Sequence, residues 1–140
     1  MNRPRVIIAD DHPAMLEAAV RLLECDYEVV ATAVDGAAAL EAVPALRPDV
    51  VVLDISMPGL TGIEVARRLK ASGSNARIVF LTVHEDPDFA VEAFAVGGSA
   101  FVTKSRMTTD LRLAISEALA GRVFVSSSST SDSPPSAFLR

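Results

Sequence analysis

Along this chain, short and nearly unbroken apolar runs alternate with segments whose apolar residues recur every three or four positions. The runs cover residues 6–9, 29–31, 50–53, 78–81 and 100–102. They are rich in Val, Ile, Leu, Phe and Ala and apolar on both faces. Strands of a parallel sheet covered on both sides read this way. Between them, Met15, Ala18, Ala19, Leu22 and Leu23 form one helical stripe. Ile63, Ala66 and Leu69 form another, and Leu111, Ala114, Ile115 and Ala118 a third. Asp35 reads as a helix N-cap, Pro48 stops the second helix, and Gly73 and Gly97 sit where C-caps are expected. One such run alone is compatible with a buried piece of helix. Ten elements in strict alternation argue against that reading for the set. The pattern predicts an α/β doubly wound sheet of five strands and five flanking helices, joined by right-handed crossovers.

Composition narrows the class. With 140 residues, half of them apolar, the chain has the size of one domain with a sizeable core. The single Cys25 excludes an internal disulfide and a Cys-rich zinc site, and fits a reducing compartment. Net charge is −5, against the basic footprint that non-specific nucleic-acid binding needs. Only four apolar residues lie between Arg5 and Asp10, too few for a signal-peptide core, and no run approaches the ~20 residues of a membrane span. A soluble, cytoplasmic protein is expected. Residues 126–136 are all Ser, Thr, Asp or Pro. The folded domain is therefore expected over 1–125, and 126–140 as a disordered tail or linker stub.

In open α/β sheets, ligands bind outside the carboxyl ends of the strands. Asp10 and Asp11 end the first predicted strand, Asp54 the third and Thr82 the fourth, and Lys104 follows the fifth. Each has a plainer reading by itself. The acid pair could cap a helix, and Asp54 could cap the turn from Ser56 to Gly59. Thr82 is a good strand former, and lysines are usually solvated. Together these readings require four coincidences on one sheet edge. Carboxylates that repel by a few kcal/mol at ~4 Å are relieved by a cation or a proton. Mg²⁺ takes one or two carboxylates plus a phosphoryl oxygen. A carboxylate beside Mg²⁺ and a lysine can attack phosphorus and form an acyl phosphate.

The acid pair Asp10-Asp11, the segment from Val51 to Gly62 around Asp54, Leu81-Thr82, and the stretch from Phe101 to Lys104 closely resemble the receiver domain of two-component response regulators. The likeness covers about residues 4–125. The stretches running from Ile8 to Pro13 and from Val96 to Ser105 look most like the NarL/FixJ-type subfamily. The resemblance implies a flavodoxin-like sheet of order 2-1-3-4-5. It implies that Asp54 accepts a phosphoryl group from a histidine kinase or phosphotransfer protein. Asp11 and Asp54 would bind Mg²⁺, with Asp10 acting through water and the Ser56 carbonyl as a further ligand. Thr82 would turn toward the phosphoryl group, Phe101 would move from an outward to a buried rotamer, and Lys104 would pair with phosphoryl oxygens. The responding face, roughly residues 86–121, would meet a partner protein or a second copy of the chain. Direct DNA binding by this chain and membrane association are not expected.

Three departures stand out. Val83 replaces the small residue frequent after the switch threonine and is expected to narrow access. Ser105 replaces the frequent proline after Lys104. The C-terminal helix-turn-helix usual in the subfamily does not follow within these 140 residues. His12 and His84, both near the active edge, could suggest metal ligands or a phosphohistidine; the favoured reading is surface loop histidines, although His84, two residues after Thr82, could influence a water near the phosphoryl group. Cys25 reads as inert, and Gly97-Gly98 as a turn rather than a phosphate loop. The competing class is an aspartyl-phosphate phosphatase of haloacid-dehalogenase type. It needs a second Asp two residues after the nucleophile, where this chain has Ser56.

Overall fold

A computed structural model of the chain describes residues 3–84 and 86–126. The expected tail therefore lies outside the described residues, apart from Ser126. The elements run β1 (Arg5–Ala9), α1 (Pro13–Leu23), β2 (Glu28–Ala33), α2 (Gly36–Leu46), β3 (Val50–Asp54) and α3 (Gly62–Ala71). They continue with β4 (Arg77–Thr82), α4 (Pro87–Ala95), β5 (Ala100–Thr103), a 3-10 turn (Lys104–Arg106), α5 (Met107–Leu119) and β6 (Phe124–Val125).

Alternation along each strand decides which helix it meets, because successive side chains point to opposite faces. Ile7, Ala9, Val51, Leu53, Ile78, Phe80 and Phe101 pack with α2, α3 and α4. Their neighbours Val6, Ile8, Val50, Val52, Val79, Leu81, Ala100 and Val102 pack with α1 and α5. Nearly all of these strand residues are fully buried. That explains runs with no polar alternation.

Local chemistry sets the helix ends. The Asp35 carboxylate accepts from the Ala38 N–H at 2.8 Å, and the Thr61 hydroxyl from the Glu64 N–H at 3.2 Å. Pro13 and Pro87 stand in the first turns of α1 and α4, where a missing N–H costs nothing. Helix α2 ends at Leu46, and Arg47 takes the left-handed conformation (φ 50°) just before Pro48.

The sheet order is β2-β1-β3-β4-β5-β6, with every pair parallel. The five-stranded expectation is corrected to six strands among the described residues. Phe124 and Val125 pair with Ala100 and Phe101 along the outer edge of β5. The Ser126 N–H then donates to the Phe101 carbonyl at 2.9 Å. Two residues are too few to show a period, so tertiary pairing alone makes this strand. Ser126, expected in the tail, is buried. Its hydroxyl donates to Asp110 at 2.8 Å and accepts from the Thr103 N–H at 3.3 Å.

Candidate functional site

Register brings the strand ends level. Ala9 pairs with Leu53, Asp54 with Leu81, and Thr82 with Thr103. Asp10, Asp54, Thr82 and Lys104 therefore stand on one edge of the sheet. Gly62 fixes the loop behind Asp54. Its N–H donates to the Ile55 carbonyl at 2.9 Å, and a Cβ there would lie 2.3 Å from the Asp54 carbonyl oxygen. Only glycine lets α3 start this close to the strand end.

Lys104 lies between two carboxylates. Its Nζ is 2.8 Å from Asp10 Oδ2 and 3.1 Å from Asp54 Oδ2. All three side chains are buried, at 5%, 1% and 2% exposure. The solvated-lysine reading is thereby excluded. Asp54 Oδ1 accepts the Ser56 N–H at 3.1 Å. Asp10 Oδ1 accepts the His12 N–H at 2.8 Å.

Electrostatics separate the two acids. Burial pushes the Asp54 carboxyl up to about 6, with the Asp10 charge adding to the rise, against the Ser56 N–H and Lys104. Burial also works to raise Asp10, but Lys104 and the His12 N–H outweigh it and hold it below the ordinary carboxylate value. For Lys104, burial favours the neutral amine, yet hydrogen bonding to Asp10 and the charges of both acids raise its pKa. The site sets three acids, Asp10, Asp11 and Asp54, against the single Lys104 amine.

That imbalance, and the donor set, fit a divalent cation. Asp10, Asp11, His12 and Asp54 offer ligand atoms all within 4.8 Å of one another. Asp11 Oδ1 is buried and accepts no hydrogen bond among the described residues. An oxygen-rich cluster with an unsatisfied carboxylate oxygen is what a hard cation completes.

Thr82 is fully buried, and its hydroxyl accepts the His84 N–H at 3.1 Å. Phe101 is 3% exposed and packs in the cluster with Phe80, Ala90 and Ala93. It thus occupies the buried arrangement. Val83 is 62% exposed. The contact across the mouth of the site is instead Ser56 Oγ with His84 Nε2, at 2.8 Å. The His84 ring stacks on Phe89 of α4, with centroids 4.4 Å apart. Cys25 is exposed and far along the chain from this edge.

The sequence raised His12 as a metal ligand but favoured a surface loop histidine; the structure sets it in the acid cluster. Its Nδ1 lies 3.1 Å from both Asp10 Oδ1 and Asp11 Oδ1. The available signal was adjacency, since it directly follows the acid pair. Cavities of about 590 Å³ beside β2 and 580 Å³ near Arg47 and Arg77 lie elsewhere, and none of the clustered acids lines them. No helix among the described residues is long and apolar enough to cross a membrane.

Comparison with known proteins agrees with this geometry. The response regulator receiver domain family matches residues 6–116. A probable transcriptional regulatory protein NarL of Mycobacterium tuberculosis is 36% identical over 129 residues, 91% of this chain and 60% of that protein. The chain thus spans about 60% of that relative's length. The signal receiver domain of the putative response regulator NarL from M. tuberculosis superimposes with a TM-score of 0.83 at 35% identity, covering 87% of this chain and all of that one. A LuxR-family two-component response regulator from Aurantimonas gives 0.84 at 39%, covering 88% and 89%. The isolated receiver domain of RcsB from Salmonella, with phosphomimetic BeF₃⁻, gives 0.83 at 29%, covering 99% and 100%. With the strand-end acids, the buried lysine and the doubly wound sheet in place, the chain belongs to the response regulator receiver domains of two-component signalling, among relatives of the NarL type.

Proposed function

We propose that Asp54 is the phosphoacceptor. The observation that carries this reading is the buried Lys104 ammonium between Asp10 and Asp54 at the end of the central strand. With its carboxyl pushed up to about 6, Asp54 is mostly ionised at pH 7 but poorly solvated, which suits a nucleophile. One of its oxygens bonds to phosphorus as the P–N bond of the kinase phosphohistidine breaks, and the departing imidazole takes up a proton. Lys104 then meets the new phosphoryl oxygens, and the Thr82 hydroxyl donates to another.

The acids fit Mg²⁺. Asp11 and Asp54 would hold it directly, with the Ser56 carbonyl, and Asp10 through water. When bound, such an ion would supply positive charge to offset that on the transferring group. The chain assists its own phosphorylation and dephosphorylation without turning over a separate substrate. The phosphatase alternative is disfavoured by Ser56, which replaces the needed acid.

Receiver domains of two-component systems interact with histidine kinases, and a sensor kinase or phosphotransfer protein in the cytoplasm is the proposed donor. The responding face spans α4, β5 and α5 and meets a partner protein or a second copy of the chain. Regulation of transcription, as in the NarL-type relatives, would pass through a further module of a longer protein. Acetyl phosphate with Mg²⁺ should add one phosphoryl group, about 80 Da. The Asp54→Asn variant should add none. Equal labelling of that variant would overturn the assignment.

A further inference from the structure

The imidazole of His12 is placed among the acids in a way that Mg²⁺ chemistry does not use. We propose that His12 is a metal ligand, and that the cluster takes a first-row transition ion such as Co²⁺ or Zn²⁺ through Nδ1 of His12 together with the carboxylates. This proposal rests on reading the acid cluster as a metal centre.

The spacing supports it. His12 Nδ1 is 3.1 Å from Asp10 Oδ1, 3.1 Å from Asp11 Oδ1 and 3.9 Å from Asp54 Oδ2. Adjacent ligands around an octahedral ion at ~2.1 Å stand about 3.0 Å apart, and those around a tetrahedral ion at ~2.0 Å about 3.3 Å apart. Nδ1 therefore lies at the separation of one coordination shell from two carboxylate oxygens at once.

The backbone holds the ring there. His12 is the N-cap residue of α1, its N–H bonded to Asp10 Oδ1 and its successor Pro13 fixed in the first helical turn. The side chain is 60% exposed, so Nε2 can carry the ring proton while Nδ1 faces the acids. Without an ion, the ring nitrogen is within hydrogen-bond distance of Asp10 Oδ1, at 3.1 Å.

Ligand chemistry then separates the ions. Mg²⁺ takes oxygen and keeps its waters, so the imidazole adds nothing to its binding. Cobalt and zinc take imidazole readily, and in a mixed nitrogen and oxygen site their affinity gains from it. His12 thus sets which divalent ion the receiver prefers.

The test uses the full chain and metal salts alone. Co²⁺ binding is followed by visible absorption at pH 8, and Mg²⁺ by displacement of Co²⁺. Zn²⁺ binding is followed by the ¹⁵N resonances of the His12 ring, with His84→Ala removing the other histidine. His12→Ala and His12→Gln are expected to weaken Co²⁺ at least tenfold, to leave Mg²⁺ within twofold, and wild-type Nδ1 should shift with Zn²⁺. Equal Co²⁺ affinity in wild type and both variants, or an unmoved Nδ1 resonance, overturns the proposal. Asp11→Asn distinguishes the two levels. If it weakens both metals while the His12 variants weaken neither, only the role of His12 falls. If it weakens neither, the metal centre falls, and this proposal with it.

Discussion

Ser56 Oγ and His84 Nε2 meet at 2.8 Å and so join the loop after β3 to the loop after β4. The same imidazole stacks on Phe89, which ties the contact to α4. The side chains of residues two positions beyond Asp54 and Thr82 thus close over the strand ends that carry the chemistry.

If that bridge limits water at the phosphoryl group, His84→Ala and Ser56→Ala should each shorten the phosphoprotein lifetime several-fold, read from the decay of the phosphorylated mass. Val83→Ala should shorten it less, because the valine is largely exposed. Lifetimes that lengthen in both bridge variants would mean that the contact promotes hydrolysis instead.

Stability should depend on pH through Asp54. Its carboxyl titrates near 6 in the folded chain against 3.8 ordinarily. Between those values the folded state binds the extra proton, so stability falls as pH rises from about 4 through 6. Asp54→Asn removes that cost. The metal-free variant should melt higher than wild type at pH 8, by at most on the order of 2–3 kcal/mol. The gain should vanish near pH 4. Asp10, held below its ordinary value, acts with the opposite sign and is shared by both proteins.

Mg²⁺ should raise the melting temperature of wild type, since an ion tenfold above its Kd adds about 1.4 kcal/mol. Asp11→Asn takes away the carboxylate whose Oδ1 is unsatisfied. The variant should lose most of that Mg²⁺ increment in a thermal melt, while its metal-free stability stays level or rises as repulsion is relieved.

Ser126→Ala should destabilise the domain by about 1–2 kcal/mol, because it leaves the buried Thr103 N–H unpaired and removes one of the donors to Asp110. Asp110 keeps Arg106 and Thr109. Hydrogen exchange of Thr103 and Val125 should quicken in the same variant. Unchanged exchange there would show that Ser126 adds nothing to the sixth strand.

The sequence by itself determined the five main strands and five helices, because strands buried on both faces must be apolar throughout and helices between them must carry a 3.6-residue stripe. It also determined the acids, since a charge at the end of an apolar run is costly unless something requires it. The Asp35 cap was legible for the same local reason; the Thr61 cap emerged only with the structure. What only the tertiary structure decided is of another kind. Phe124 and Val125 become a strand because the edge of β5 is free to receive them. Ser126, one residue into a polar stretch, is buried because Asp110 and Thr103 require a partner there. Lys104 looks like any lysine until Asp10 and Asp54, distant in sequence, close around it. His12 and His84 look alike in sequence. Folding sets one among carboxylates and the other against a serine and a phenylalanine. Local pattern records which face a residue must bury. Which partner it meets depends on register and crossover, and these exist only once the sheet has formed.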